Sequence, residues 1–270
     1  MSSPKSSELL AAFLERPDRS ALMLDVDGTL APIVLRPEQA AVPEPARALL
    51  RKLERRFALV ACVTGRRAEE ARRIVGIESL TYVGNHGLEL LVNGELQARS
   101  DPSLPELAAR VRAFAQSSYG DGLASLGVRL EDKEAIWAFH WRGAPDEQAA
   151  TRALERVADQ AEQEGLAPRW GRKVLEIRPP ILVDKGTAVE TALALTADTD
   201  RPIDQALYAG DDTTDLDAFR KLRELEGAGG VRAVCVGVVS GEAPPAIARD
   251  SDLVVDGPEG LLELLGELAG

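Results

Sequence analysis

In the stretch ALMLDVDGTL, residues 21–30, two carboxylates, Asp25 and Asp27, stand one residue apart at the end of an apolar run. Asp is a poor strand former and is costly to bury. At a strand's period of two, both side chains point to the same side. Three more segments carry unusual polar groups at comparable places: Thr64 after FALVACV, Lys185 in VDKG, and Asp211 and Asp212 after QALYAG. Taken singly, each has a bland explanation: an Asp-Gly turn, a Thr helix cap, a solvated loop Lys, a capping run. Four in this order, on consecutive elements of one sheet, point to a site. The chemistry they support is phosphoryl transfer through a covalent intermediate. A carboxylate attacks, splitting one difficult step into two, and a second acid protonates the leaving oxygen and then deprotonates the attacking water. Phosphate and carboxylates repel, so a divalent cation is needed between them. Magnesium suits oxygen ligands from one or two carboxylates plus the substrate phosphate, and would stabilise the transferring group. Lys185 offers a compact fixed charge, and Thr64 a hydroxyl donor, to phosphate oxygens.

These groups need elements to hold them. Apolar, strand-like runs alternate with helical patterns: ALMLDVD, then PEPARALLRKLERR; FALVACVTG, then RRAEEARRIVG; then LTYVGNHG with a turn at Gly84-Asn85. Such alternation predicts a parallel sheet with helices on both faces. In open sheets of this kind, ligands gather at the carboxyl ends of the strands, where the polar residues stand. After Pro179-Pro180 the alternation resumes with the helix DKGTAVETALALT, the strand QALYAGDD, the helix TTDLDAFRKLREL, the strands VRAVCVGV and SDLVVD, and the helix PEGLLELLGEL.

The middle reads differently. A helical pattern from about Pro105 to Ser118 leads to GVRLEDKEAIWAFHWRG, two strands around a tight charged turn. PDEQAATRALERVADQAEQEG is an amphipathic helix with acids in its first turn, as the helix dipole favours. LAPRWGRKVLEIRPP supplies two more short strands. Helix, two strands, helix, two strands predicts an α+β unit with an antiparallel sheet. The expected division is a catalytic core of residues 1–106 and 180–270, interrupted by an insert of residues 107–179, a normal size for a small domain.

The formal net charge of -12 argues against a nucleic-acid footprint, which needs a basic face. An anionic substrate must be drawn in by local positive groups or a metal. Cys62 and Cys235 both lie in apolar runs, with no CxxC or Cys/His cluster to suggest zinc or a disulfide framework. No run approaches a membrane span, and the first residues lack a targeting pattern. The expectation is a cytoplasmic protein without membrane or nucleic-acid partners, and a monomer. There is no GxGxxG after a strand and no GxxxxGK, which disfavours a nucleotide enzyme.

DVDGT, VTGR, VDKG and GDDTTD resemble the four motifs of the haloacid dehalogenase-like phosphatases. The resemblance implies a Rossmann-like parallel-sheet core with an inserted α+β cap domain, which excludes water and reads the leaving group. It makes Asp25 the nucleophile that becomes aspartyl-phosphate and Asp27 the general acid/base. Thr64 and Lys185 hold the phosphate. Mg2+ is held by the Asp25 carboxylate, the Asp27 backbone carbonyl and Asp211, with Asp212 and Asp215 supporting the site.

A sugar leaving group asks for hydrogen-bonding side chains in the insert. The candidates are Glu131 and Lys133 in LEDK, Arg142 after FHW, and Lys173, Glu176 and Arg178 in GRKVLEIRP. His140, in an alternating strand, reads as structural. TGRRAEE, GNHGLEL, LEDK, GRKVLEIRP and DKGTAV, together with GDDTTD, look like the trehalose-6-phosphate phosphatase family from about residue 20 to 255. That resemblance implies hydrolysis of trehalose 6-phosphate, disaccharide contacts from Glu131, Lys133 and Glu176, and substrate-binding roles for Arg66, Asn85 and His86. Its rivals are a phosphatase for another sugar ester, such as sucrose phosphate or mannosyl-phosphoglycerate, and a non-catalytic trehalose 6-phosphate sensor. The presence of both Asp25 and Asp27 speaks against the sensor.

Overall fold

A computed structural model of the chain describes residues 4–34, 36–97, 103–181, 183–196, 200–241 and 243–270. Two compact units emerge, one of residues 1–98 and 183–270, the other of residues 99–182.

The first unit is built on an eight-stranded sheet. In chain order its elements are α1 (Pro4–Glu15), β1 (Ser20–Leu24), α2 (Glu44–Glu54), β2 (Leu59–Val63), α3 (Ala68–Val75), β3 (Thr81–Gly84), β4 (Glu89–Val92) and β5 (Glu95–Gln97). The second unit then intervenes with α4 (Leu104–Ser118), α5 (Asp121–Ser125), β6 (Arg129–Lys133), β7 (Ile136–His140), α6 (Glu147–Gln163), β8 (Ala167–Gly171) and β9 (Val174–Arg178). The first unit is completed by α7 (Lys185–Ala194), β10 (Gln205–Gly210), α8 (Asp215–Gly227), β11 (Arg232–Val239), α9 (Pro245–Asp250), β12 (Leu253–Asp256) and α10 (Gly257–Ala269).

The order of the large sheet is β12-β11-β10-β1-β2-β3-β4-β5. From β12 to β3 all neighbours are parallel. Because both faces are covered, these strands are continuous apolar runs, and alternate residues feed two separate cores. Leu22 and Leu24 of β1, Cys62 of β2 and Leu207 of β10 join Leu50 and Leu53 of α2 and Leu265 of α10. Ala21 and Met23 of β1, Ala61 of β2 and Tyr208 of β10 join Val189 of α7 and Phe219 of α8. Each such buried Leu contributes roughly 1.5–3 kcal/mol. α2 shows why its segment is helical: Ala46, Leu50 and Leu53 recur on one face, Glu44 opens the first turn, and Arg51 and Lys52 close the last. Cys62 and Cys235 are free, buried strand residues.

Two features depart from the sequence reading, and a third element was not read from it. Pro4–Glu15 form α1, which packs Leu10 and Phe13 into the first core. The sheet is not wholly parallel, because β3, β4 and β5 form an antiparallel edge. Its hairpin turns at Asn93-Gly94, with φ of 51° and 77°, the Asn-Gly signature of a two-residue turn. The expected unit boundary after residue 106 cuts through α4. The whole helix belongs with the second unit, where Val111, Phe114 and Ala115 pack against Phe139, Leu175 and Ile177.

That second unit is an antiparallel sheet, β6-β7-β9-β8, as its strand pattern predicts. Trp137 and Phe139 of β7 face a core closed by α4 and α6. The other face carries polar groups from the neighbouring strands, Glu131 and Lys133 of β6 and Glu176 and Arg178 of β9. Among the described residues, no helix is long and apolar enough to cross a membrane.

Candidate active site

Three parallel strands, β10, β1 and β2, lie side by side and end together in Asp211, Asp25 and Thr64. Asp25 continues the ladder by donating its N–H to Ala209 O at 2.9 Å, so its carboxylate starts from a fixed backbone. The chain then turns sharply: Gly28 N donates to Ala31 O at 2.8 Å, with Gly28 at φ +87°. A Cβ on Gly28 would stand 2.1 Å from Asp211 Oδ2. Glycine is therefore required twice here, for its left-handed backbone and for the close approach of a carboxylate. Thr29 Oγ1 donates to Asp211 Oδ1 at 3.2 Å.

Lys185 enters from the start of α7. Asp184 caps that helix, accepting from Thr187 N at 2.9 Å, while Thr187 Oγ1 accepts from Asp184 N at 3.0 Å. This reciprocal cap fixes the direction of the next side chain. Lys185 Nζ reaches Asp25 Oδ1 and Asp215 Oδ1, each at 2.6 Å, with all three side chains buried. Asp215 opens α8 and has both oxygens engaged. Oδ1 accepts from Lys185 and from Tyr208 Oη at 2.7 Å, and Oδ2 accepts from the N–H groups of Asp211 and Asp212 at 3.0 and 2.9 Å.

Carboxylate oxygens of Asp25, Asp211 and Asp215 all lie within 4.8 Å of one another. One ammonium pairs with two of these three buried carboxylates, Asp25 and Asp215. Burial pushes the Asp25 carboxyl well above its ordinary value, and Asp215 and Asp211 push it further, while Lys185 opposes them. Burial pulls Lys185 down, but Asp215 and Asp25 outweigh it and leave its ammonium more firmly protonated than usual. An all-oxygen, net-negative pocket fits a hard divalent cation. With Asp215 saturated, Asp25 and Asp211 are the groups able to turn toward such an ion. The Asp212 and Asp27 carboxylates lie outside this trio. Asp212 Oδ1 accepts from Thr213 N at 2.7 Å.

Asp27 faces Arg66. Its oxygens accept from Nε and Nη2 at 2.6 and 2.7 Å, and Nη1 donates to Glu70 of α3. Burial pulls the Arg66 guanidinium down, but the two carboxylates more than offset it. Thr64 Oγ1 accepts from Arg66 N at 3.2 Å. The GNHG turn is spliced onto this loop through Asn85 N to Arg66 O at 2.7 Å and His86 N to Thr64 O at 3.0 Å. Asn85 and His86 both have positive φ. The His86 ring packs so closely on Gly65 that a Cβ there would stand 2.6 Å from Nε2.

In the second unit, four of the expected sugar-binding residues share one face and one network. Glu131, Ala138 and Glu176 align across β6, β7 and β9. Lys133 Nζ donates to Glu176 Oε1 at 2.8 Å, and Arg178 donates twice to Glu176 Oε2, at 3.0 and 2.6 Å. Burial opposes the charge on Lys133, but Glu176 and Glu131 outweigh it and raise its pKa. His140, read as structural, lies 2.6 Å from Glu131 Oε2. Arg142 and Lys173 lie at the opposite end of the strands. Lys173 pairs there with Glu147 of α6 at 2.5 Å.

The sequence reading assigned nothing to Tyr208, Thr29, Glu70 or Glu89, which hold the site's residues in place. Glu89 accepts from Ala68 N at 2.7 Å and from the Asn85 side chain. A signal existed for Glu70, four residues after Arg66, a spacing at which helical side chains meet.

Residues 23–251 match the family model described as trehalose-phosphatase. Over 214 residues the chain is 30% identical to a rice protein named probable trehalose-phosphate phosphatase 4; the match covers 77% of this chain and 57% of that protein's length. The chain thus spans little more than half of that relative. The C-terminal domain of the C. albicans trehalose-6-phosphate phosphatase has a similar fold, with a TM-score of 0.75, 22% identity, and coverage of 100% of this chain and 97% of that one. A haloacid dehalogenase-like hydrolase of Bacteroides thetaiotaomicron shares the fold at a TM-score of 0.62 and 13% identity, covering 92% of this chain and 98% of that one.

Proposed function

From the premise that this chain belongs to the trehalose-phosphatase family, we propose that it hydrolyses trehalose 6-phosphate to trehalose and phosphate. The observation that carries the reading is the buried cluster of Asp25, Asp211 and Asp215, two of which, Asp25 and Asp215, pair with Lys185. It is a costly arrangement with no structural purpose that an apolar core would not serve better.

Asp25 attacks phosphorus with a carboxylate oxygen and forms an aspartyl-phosphate as the ester P–O bond breaks. Asp27 delivers its proton to the departing sugar oxygen. Asp27 then takes a proton from water, which attacks the aspartyl-phosphate and releases phosphate, restoring Asp25. Lys185 neutralises Asp25 and orients it. It also offers charge to the phosphoryl oxygens, joined by the Thr64 hydroxyl. Asp25, Asp211 and the Asp27 backbone carbonyl would hold magnesium, with Asp215 bracing the loop and Asp212 supporting it. When bound, the ion offsets the negative charge of the phosphoryl group against these carboxylates. Glu131, Lys133 and Glu176 are the proposed partners of the disaccharide's hydroxyls, and Arg66, Asn85 and His86 line the approach to the phosphate.

A panel of sugar phosphates, with phosphate release measured in magnesium and in chelator, tests the proposal. Trehalose 6-phosphate should be preferred, and chelator should abolish turnover. Preference for sucrose phosphate or mannosyl-phosphoglycerate would reject the substrate. Absence of turnover on every ester would favour a sensor.

A further inference from the structure

We infer that Arg66 and Glu70 are positioning residues for the general acid Asp27, an inference that rests on the phosphatase reading above. Asp27 sits on an irregular turn with 36% of its side chain exposed, where a lone carboxylate samples several rotamers. Arg66 comes from a different strand end and is mostly buried. It grips both Asp27 oxygens through Nε at 2.6 Å and Nη2 at 2.7 Å. Two parallel donors define the plane and the direction of the carboxylate, which one ammonium cannot do.

The clamp is itself held. The Arg66 backbone is pinned by Thr64 Oγ1 and Asn85 N, and Nη1 is tied to Glu70 on α3. Isolated surface ion pairs are weak because both partners must be ordered. Here Glu70 holds the guanidinium through Nη1 independently of Asp27, so less of the pair remains to be ordered. The chain Glu70–Arg66–Asp27 thus links a rigid helix to the carboxyl group whose proton must reach the leaving oxygen.

Acid catalysis matters most when the leaving group is a poor one, such as a sugar alkoxide, and least for a good one, such as p-nitrophenolate. The test compares wild type, Arg66→Ala, Arg66→Lys, Glu70→Gln and Asp27→Asn on trehalose 6-phosphate and on a series of substituted phenyl phosphates. Thermal melts first identify variants that retain the fold. Arg66→Ala should lose on the order of 100-fold in kcat on esters of weakly acidic alcohols, and less than about 10-fold on p-nitrophenyl phosphate. Its rate should therefore fall more steeply with leaving-group pKa, as in Asp27→Asn. Arg66→Lys restores charge without the two-point grip and should keep the steep slope. Glu70→Gln should fall between wild type and Arg66→Ala. Combining Arg66→Ala with Asp27→Asn should cost little beyond the single changes.

A uniform loss across all esters, or a rise in KM for the sugar phosphate with an unchanged aryl series, would overturn the inference. Wild type that ignores trehalose 6-phosphate yet cleaves the aryl esters would reject the substrate assignment alone, and the aryl slopes would still decide the clamp. Wild type inert on every ester would reject both.

Discussion

The ammonium of Lys185 lies 2.6 Å from Asp25 Oδ1, with both side chains buried at the end of the central strand β1. The same nitrogen serves Asp215, so one ammonium pairs with two carboxylates. Lys185→Met should destabilise the fold by about 3–5 kcal/mol, the range for breaking a buried pair. Denaturant unfolding measures it. A loss under about 1 kcal/mol, the range of an exposed pair, would contradict the role given to this contact.

The raised pKa of Asp25 sets a pH dependence. Burial, aided by Asp215 and Asp211, lifts it above the ordinary value of 3.8. A carboxyl with a raised folded-state pKa contributes stability that is present below its unfolded pKa. That contribution is lost as pH rises through the folded value. The metal-free protein should thus lose this contribution on going up from about pH 4. Magnesium requires the ionised form, so its affinity should rise with pH through the raised folded-state value. Calorimetry of magnesium binding across a pH series reads this; an affinity that does not change with pH would refute the assignment.

Gly28→Ala tests the close approach of Asp211. The backbone there is left-handed and the new Cβ would collide with the Asp211 carboxylate. A cost of about 1–3 kcal/mol is expected from the backbone alone, with weakened magnesium affinity because Asp211 must move. Unchanged metal affinity in a folded variant would show that Asp211 is not held there for an ion.

Much of this was legible in the residues. β1, β2 and β10 announce themselves because strands buried on both faces must be apolar throughout, so Asp25 and Asp211 stand out where each run stops. Lys185 was legible only through its company, since a loop Lys is ordinarily solvated. Tyr208 was hidden because an apolar strand accepts a Tyr without comment; its hydroxyl's partner, Asp215, is known only once α8 folds back over β10. Arg66 was visible, but not its direction: that its donors reach Asp27 and Glu70 is seen only in the folded loop. The β4–β5 hairpin did carry its signal, Asn93-Gly94, within a segment read for GNHG alone.

In the inserted unit, two ion pairs should behave differently. Glu176→Ala leaves Lys133 and Arg178 buried together, so it should cost about 3–5 kcal/mol and raise KM for the sugar phosphate. Lys173→Ala removes an exposed pair with Glu147 and should cost no more than about 1 kcal/mol. Unfolding and steady-state kinetics on both variants make the comparison. Equal effects would remove the distinction drawn between the two ends of this sheet.

The most direct measurement is mass spectrometry of the peptide bearing Asp25, acid-quenched during turnover of p-nitrophenyl phosphate by Asp27→Asn, where the first step needs little acid catalysis and the second is slowed. A phosphate adduct on Asp25 is the expected result. Phosphate release with this peptide unmodified at every time point, or wild-type turnover by Asp25→Asn, would contradict the account.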